Sequence, residues 1–244
     1  MHHKGRIVVV AVLLVLALLF GACAVYICDY YRADTAAIGE FLPEGTSFCE
    51  EPDGRIVIGP EDAAVGMIFY PGGKVEHRAY IPLMQALAER GILAILVKMP
   101  LRLAVLDVNA ADGIREEYPA VRDWYIGGHS LGGSMAASYL SSHTDDFRGL
   151  LLLGAYSTAD LSATDLSVLS VFGSEDRVMN REKYAENQKN LPAGYRELVI
   201  EGGCHAGFGM YGAQEGDGTP TVTAAEQITA TADAIAALVG TLQK

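Results

Sequence analysis

The sequence is short of cysteine and of basic residues. Its 244 residues include only four Cys, too few for the disulfide framework that holds many small secreted domains together. Lys and Arg number 18 against 30 Asp and Glu, a formal net charge of −12. A nucleic-acid-binding protein needs clustered cations for its phosphate contacts, so this balance argues against that class. The His and Cys spacings fit no zinc pattern, and we expect no metal and no cofactor.

The chain also lacks internal repeats, low-complexity stretches and any linker rich in Pro or Ser. Half of its residues are hydrophobic, which is enough to offset the entropy lost on folding, so disorder is not its main state. The length suits one large domain or two small ones. Because nothing divides the carboxyl-terminal part, we expect one domain over residues 51–244.

What the sequence does contain is one long uncharged run, residues 7–28. As a helix this run spans roughly 33 Å, enough to cross the hydrocarbon core of a bilayer. Lys4 and Arg6 precede it and Asp29 follows it, so the positive-inside bias leaves the remainder of the chain outside the cytoplasm. We expect residues 1–28 to be a single-pass signal anchor in the cell membrane, joined by a connector at residues 29–50 to an extracytoplasmic domain.

Two alternatives to a signal anchor also export the domain but differ in how the domain is attached to the membrane. Ala22-Cys23-Ala24 could mimic a signal-peptide cleavage site, although the apolar core of a cleaved signal is usually shorter. Phe20-Gly21-Ala22-Cys23 resembles a bacterial lipoprotein box, with Phe where Leu is normal.

In an oxidising compartment Cys49 and Cys204 could form a disulfide; the alternative is two small buried residues.

Beyond the connector the sequence alternates strand and helix patterns. Continuous apolar runs such as residues 93–97 and 150–153 are typical of strands buried on both faces of a sheet. Helical periodicity lies between them, and Thr223 with Glu226 forms a capping box before a final helix. This alternation predicts an α/β fold, a mainly parallel sheet flanked by helices, with ligands at the carboxyl ends of its strands. The predicted strands are 56–58, 66–70, 93–97, 123–127, 150–153, 168–172 and 197–200, and the predicted helices are 80–87, 108–117, 134–140 and the segment from Thr223.

A nucleophile pattern stands at one of these strand ends. Gly128-His129-Ser130-Leu131-Gly132 matches G-x-S-x-G and lies between a predicted strand and a predicted helix, the setting that the motif requires. Its glycines permit a sharp turn where side chains would collide. We therefore predict that Ser130 is a catalytic nucleophile; the alternative is a Gly-rich turn whose Ser caps the helix.

A serine nucleophile needs a base and an acid that orients the base. In enzymes with this strand–turn–helix motif the chain order is Ser, acid, His, and only His143 and His205 follow Ser130. His143 lies in a polar surface stretch, whereas His205 lies in a Gly-rich loop after the last strand, so His205 is the predicted base. Glu175 and Asp176 both follow the strand at 168–172, and the G-x-x-D spacing favours Asp176 as the acid.

Several stretches around these residues resemble a known family. The sequence is similar to the α/β-hydrolase superfamily, and within it to a compact dienelactone-hydrolase-like family of predicted bacterial serine hydrolases. The resemblance extends over most of residues 66–218 and so covers the domain rather than one motif. It departs at Cys204, where a polar residue, usually Asn, is expected before the base. The stretches are residues 68–76, 97–100, 103–107, 127–133 and 202–209.

The resemblance implies an oxyanion hole made of two backbone N–H groups, one from Leu131 and one from Gly73, with Lys74 as the alternative to Gly73. Lys74 and Lys98 fall near strand ends and are candidates to face an anionic substrate; the alternative is that local carboxylates pair with them. Only residues 157–167 separate Tyr156, just after the strand at 150–153, from the next strand at Val168, so a large lid does not fit there.

Together these features predict a serine hydrolase that cleaves carboxylic esters of a small-molecule acyl substrate through an acyl-enzyme. Acyl transfer to a cell-envelope acceptor would use the same residues. A binding module without catalysis is the alternative from a different class, and the sequence leaves the oligomeric state open.

Overall fold

The structure, a computed structural model, describes residues 2–242 and the side chains of residues 5–240. It begins with helix α1, His2–Cys28. Within residues Gly5–Cys28 an 18-residue window has a mean hydropathy of 3.1, and none of it is buried against the rest of the chain. By length and composition this helix can cross a membrane, and a signal sequence has the same properties.

The remainder is built on one eight-stranded sheet. Its central strands are continuous apolar runs that are buried along their whole length, as expected for strands covered on both faces. The order across the sheet is β1-β2-β4-β3-β5-β6-β7-β8. β1 and β2 pair antiparallel, β2 and β4 also pair antiparallel, and all other pairs are parallel. The strands are β1 Cys49–Glu50, β2 Ile56–Ile58, β3 Val65–Tyr70, β4 Ile92–Leu96, β5 Asp123–His129, β6 Gly149–Leu153, β7 Ser167–Gly173 and β8 Arg196–Ile200.

Helices follow most of the strands and cover the sheet, which confirms the predicted mainly parallel α/β fold. Apolar side chains of α3 and α7 belong to one core cluster and those of α5 to a second. Thr223 and Glu226 exchange the hydrogen bonds of the predicted capping box just before α7. Residues 154–166 contain neither a helix nor a strand, so the segment between β6 and β7 carries no lid domain. The helices are α2 Thr35–Phe41, α3 Ile81–Ala88, α4 Ile114–Glu117, α5 Leu131–Leu140, α6 Arg181–Asn187 and α7 Ala224–Leu242.

The structure differs from the predicted elements in three places. The expected connector, residues 29–50, contains α2 and β1. The helix expected at 108–117 is reduced to the single turn of α4, because Gly113, with a φ of 77°, precedes it. Helix α6 has no predicted counterpart, since only Tyr184 of its residues is buried and it shows no apolar periodicity.

The segment after α1 is attached to the domain through its backbone. Tyr31 donates its N–H to the carbonyl of Lys74 at 2.8 Å and accepts the N–H of Glu76 at 2.8 Å, forming a parallel bridge with Val75. Asp34 then caps α2 by accepting two backbone N–H groups. The end of α1 is thereby fixed beside the loop that follows β3.

Candidate active site

Ser130 stands on the turn between β5 and α5, at the carboxyl edge of the sheet. Its φ of 52° and ψ of −122° lie in a region that residues other than glycine rarely adopt. Such a conformation costs on the order of 1–3 kcal/mol and persists only where the surroundings impose it. The Ser130 N–H donates to the carbonyl of Leu153 at 2.9 Å, which ties the turn to the end of β6.

Close backbone packing holds this turn. A Cβ placed on Gly132 would lie 2.3 Å from the carbonyl oxygens of both Tyr70 and Pro71, far inside van der Waals contact. Only glycine therefore lets the start of α5 approach the end of β3. The glycine of the G-x-S-x-G pattern is required by this contact, as the motif predicts.

Asp176 and His205 form a buried pair. The His205 Nδ1 and Asp176 Oδ2 atoms are 2.8 Å apart, and both side chains are almost wholly buried. Asp176 Oδ1 accepts the backbone N–H groups of Val178 and Met179, so this carboxylate is oriented from its own loop. The structure thus brings together the predicted acid and base, while Glu175 forms an ion pair with Arg177 instead.

The pair lies beside the Ser130 turn. Gly154, directly after β6, has a φ of +53°, and a Cβ there would be 2.9 Å from His205 Nδ1 and 3.2 Å from Asp176 Oδ2. Its neighbour Leu153 accepts the Ser130 N–H. His205 Nε2 is buried and has no hydrogen-bond partner among residues 2–242. An imidazole whose Nδ1 donates to a carboxylate has a free lone pair at Nε2, the atom from which a general base acts.

A second histidine packs against the first. The rings of His129 and His205 have centroids 4.4 Å apart. His129 Nδ1 is 2.8 Å from the hydroxyl of Tyr80, which in turn accepts the N–H of Gly72. Burial lowers the pKa of His129 well below its usual value, and the neighbouring His205 lowers it further. The neutral form of His129 is therefore favoured, and its ring packs between Tyr80 and His205, beside the predicted base.

Two backbone N–H groups remain without an acceptor near Ser130. A Cβ on Gly73 would be 3.1 Å from the Leu131 side chain, so the two residues are neighbours. Within the described part of the chain neither the Gly73 nor the Leu131 N–H has an acceptor, whereas the Lys74 N–H donates to the carbonyl of Arg102 at 2.9 Å. The geometry favours Gly73 over Lys74 as the partner of Leu131.

The two lysines considered for an anionic substrate have different surroundings. Lys74 Nζ lies 2.9 Å from Asp29 Oδ2 and 4.6 Å from the Tyr26 ring centroid, at the end of α1. Lys98 is exposed and folds its stem over Gly54. Lys74 is thus paired with a carboxylate, whereas Lys98 has no carboxylate partner among the described residues.

Gln227 was not expected from the sequence to support the site. From α7 its amide accepts the Cys204 N–H at 3.0 Å and donates to the Cys204 carbonyl at 2.8 Å. It is buried and fixes both backbone groups of the residue before His205. Because Gln227 binds the backbone of residue 204 and not its side chain, the loop is held even though Cys stands where a polar residue is expected. A buried polar position on the apolar face of α7 is the only signal that the sequence offers for it.

Asp217 joins the loops that carry Asp176 and His205. Its carboxylate accepts the N–H of Ala206 at 2.8 Å and of Arg177 at 3.2 Å. Burial alone would raise the pKa of Asp217, but these backbone donors together hold it below its usual value. Nothing in its Gly-rich sequence context indicates this contact.

The two cysteines of the domain are both free thiols. Cys49 is exposed on edge strand β1, and Cys204 is buried. Burial, followed by the charge of Asp217, raises the pKa of the Cys204 thiol to about 11.

A cavity of about 930 Å³ lies between α2, the His205 loop and the start of α7, and Ser130 is not among its lining residues. No cluster of three or more His, Cys, Asp or Glu that could hold a metal ion occurs in the described residues.

Comparison with known proteins agrees with this arrangement. A sequence profile described as the alpha/beta hydrolase family matches residues 66–229, about two thirds of the chain. The chain belongs to the alpha/beta hydrolase family. The match includes the Ser130 turn, Asp176 and His205, and the chain is a hydrolase of this family. No protein with a curated description matches its sequence.

Solved structures share the fold of this hydrolase at low sequence identity. A monoacylglycerol lipase from Paleococcus ferrophilus has 13% identity and a TM-score of 0.58, covering 79% of this chain and 100% of that one. Est1E from Butyrivibrio proteoclasticus has 16% identity and a TM-score of 0.58, covering 80% and 100%. A dienelactone hydrolase from Anabaena variabilis has 14% identity and a TM-score of 0.55, covering 75% and 89%. At these identities the likeness shows the fold alone.

Proposed function

We propose that this hydrolase is a membrane-anchored serine esterase in which Ser130 attacks the acyl carbon of a carboxylic ester. The single observation that carries the proposal is the buried Asp176–His205 pair, with a free Nε2, beside a serine held at a φ of 52°. His205 takes the Ser130 proton and returns it to the leaving alkoxide, and Asp176 stabilises the charged imidazole. Water then cleaves the acyl-enzyme with His205 again as the base.

The oxyanion of each tetrahedral intermediate is bound by the N–H groups of Gly73 and Leu131. Both donors lack another acceptor within residues 2–242, so they need no rearrangement when charge develops on the substrate oxygen. Lys98, exposed on the same edge of the sheet, remains a candidate to attract an anionic acyl group.

The apolar helix α1, exposed along its length, supports attachment to the membrane. The two cations that precede its uncharged run support an orientation with the domain outside the cytoplasm. The mass of the mature protein distinguishes an intact anchor from a cleaved or lipidated amino terminus.

Replacement of Ser130 by Ala tests the chemistry. We expect Ser130→Ala to lower kcat for an aryl ester by about 10⁴-fold or more, because the nucleophile is lost. It should also abolish labelling by a fluorophosphonate, which forms an adduct with an activated serine. Ser142→Ala, at an exposed serine beyond α5, is the matched control and should behave as wild type.

Other outcomes would contradict the proposal. Turnover retained by Ser130→Ala would exclude Ser130 as the nucleophile, and no adduct on the folded wild type would favour a binding module. Product analysis with an added alcohol acceptor separates hydrolysis from acyl transfer, since a transferred acyl group appears on the acceptor.

A further inference from the structure

The loop at residues 98–106 exposes apolar side chains that nothing in the domain covers. Leu101, Val105 and Leu106 are 50%, 54% and 54% exposed. Outside α1, Phe48 at 39% is the only other large apolar side chain of the described residues that is exposed. Single exposed apolar residues are ordinary, but three within six positions form a patch typical of an interaction surface.

This loop lies at the point where the chain leaves α1. The Arg102 guanidinium carbon is 3.3 Å from the centroid of the Tyr30 ring. Tyr30 is the second residue after α1, and two residues span at most about 7 Å. A bilayer crossed by α1 therefore has its surface beside residues 98–106.

The charges of the loop differ in sign from the rest of the domain. Residues 29–244 carry 16 basic and 30 acidic residues, a net charge of −14. A cavity beside the loop, of about 380 Å³, is lined by Lys98 and Arg102, by the ion pair of Arg78 with Glu50, and by Glu76, Leu101 and Tyr30 among others. Lys98 and Arg102 have no carboxylate partner within the part of the chain that the structure describes. Cations beside apolar side chains suit the head-group region of a membrane that contains anionic lipids.

The same loop reaches the oxyanion site. The carbonyl of Arg102 accepts the N–H of Lys74 at 2.9 Å, and Lys74 follows Gly73 directly. A surface that contacted residues 98–106 would therefore lie next to the loop that receives the substrate oxygen. The segment that would contact the membrane, residues 98–106, is thus adjacent to the Gly73 loop, which borders the acyl site.

We propose that residues 98–106 dock onto the bilayer at the carboxyl end of α1. Leu101, Val105 and Leu106 enter the head-group region, Lys98 and Arg102 face anionic lipid phosphates, and the enzyme takes an amphiphilic carboxylic ester from that surface. The substrate class rests on the serine esterase proposed above, whereas the docking requires only the membrane helix.

Fluorescence quenching tests the docking without reference to activity. Full-length protein is reconstituted in vesicles of phosphatidylcholine with brominated acyl chains, with and without phosphatidylglycerol. The fluorescence of buried Trp124, measured in wild type, is subtracted. Val105→Trp, or Leu106→Trp if the first variant does not fold, should be strongly quenched. Glu182→Trp, exposed on α6 beside the opposite edge of the sheet, should not be.

Equal quenching at both positions, or none at 105 and 106, would overturn the docking. If self-association shielded these tryptophans and lipid did not quench them, the loop would bind a second copy of the chain. That result would also overturn the docking onto the bilayer. In the Val105→Trp background, Lys98→Gln should reduce the extra quenching caused by phosphatidylglycerol. Lys189→Gln, at an exposed lysine in the turn directly after α6, should leave the extra quenching unchanged. Equal effects of the two substitutions would remove the role of Lys98.

An activity ratio tests the substrate class. The variant with Leu101→Ser, Val105→Ser and Leu106→Ser should lower the ratio of turnover on a vesicle-borne glyceride to turnover on a soluble aryl ester by about tenfold. Phe48→Ser is the matched control, with no change in the ratio. A ratio unaltered in the triple variant, or a wild type that cleaves only the soluble ester, would overturn the membrane-borne substrate. If wild type cleaved neither ester, the esterase itself would fail.

Discussion

The turn that carries Ser130 and the loop that carries His205 are held by different kinds of contact. At Ser130, backbone packs directly on backbone, because Gly132 leaves no space for a Cβ beside the carbonyls of Tyr70 and Pro71. At His205, side chains from distant elements hold the backbone. Gln227 binds both polar groups of Cys204, and Asp217 binds the N–H of Ala206.

The difference teaches how each geometry can fail. A close-packed turn tolerates no added atom, so a single methyl group there acts on the whole fold. A loop held by a few hydrogen bonds can lose one of them and remain folded, but the base then moves relative to the nucleophile. Substitutions in the first region should act mainly on stability, whereas those in the second should lower stability less and can also lower kcat.

The largest effect is expected from Gly132→Ala. Its Cβ would lie 2.3 Å from two carbonyl oxygens, so the backbone of α5 or β3 must shift, at a cost of about 3 kcal/mol in the free energy of unfolding. Thermal unfolding of the full chain in detergent measures this as a lower Tm. Gly39→Ala is the control, because its Cβ in α2 would meet no described atom within 4 Å apart from its chain neighbours and the backbone of its own helix, and it should raise stability by up to about 1 kcal/mol. A wild-type Tm for Gly132→Ala would contradict the packing argument.

Gln227→Leu should have an intermediate effect on stability and a clear one on turnover. It removes both hydrogen bonds to Cys204 and leaves a buried N–H and C=O unpaired, which costs about 2 kcal/mol. The displaced His205 should lower kcat for an aryl ester by about 100-fold, with little change in KM.

Gln85→Leu is the control for Gln227→Leu, since among the described residues the Gln85 side chain bonds only to the exposed Glu89. If Gln227→Leu lost stability but kept the kcat of wild type, the contact would not position the base.

The smallest effect is expected from Asp217→Asn, and it depends on pH. The pKa of Asp217 is lower in the folded protein than its usual 3.8, so its ionised form stabilises the native state. This stabilisation is complete above the unfolded-state pKa and is lost as pH falls through the lower native pKa. Wild type should therefore exceed Asp217→Asn in Tm by a few degrees at neutral pH, and the difference should vanish at acidic pH below both values.

Glu186→Gln, at an exposed carboxylate of α6, is the control for Asp217→Asn and should show no such pH dependence. A Tm difference between wild type and Asp217→Asn that persisted below both pKa values would show that the lost charge is not its cause.

Much of the fold and part of the site could be predicted from the sequence. Long apolar runs such as β4 and β6 indicate strands that are buried on both faces of a sheet. The mainly parallel sheet that was predicted from them is confirmed. The elements that were missed or shortened, α2, β1, α4 and α6, are brief and weakly patterned. The partner of Lys74 could not be predicted, because Asp29 reaches it only through the bridge between Tyr31 and Val75.

The sequence by itself determined the position of the Ser130 turn, the order along the chain of the proposed acid and base, and the apolar helix at the amino terminus. Each of these is a local pattern, in which residue type and spacing alone set the backbone or the hydrophobicity. Only the tertiary structure decided how His205 is held by Gln227 and Asp217, and that residues 98–106 lie beside the end of α1. These contacts join residues 11 to 72 positions apart, and they depend on how the strands are ordered in the sheet, which local preferences do not encode.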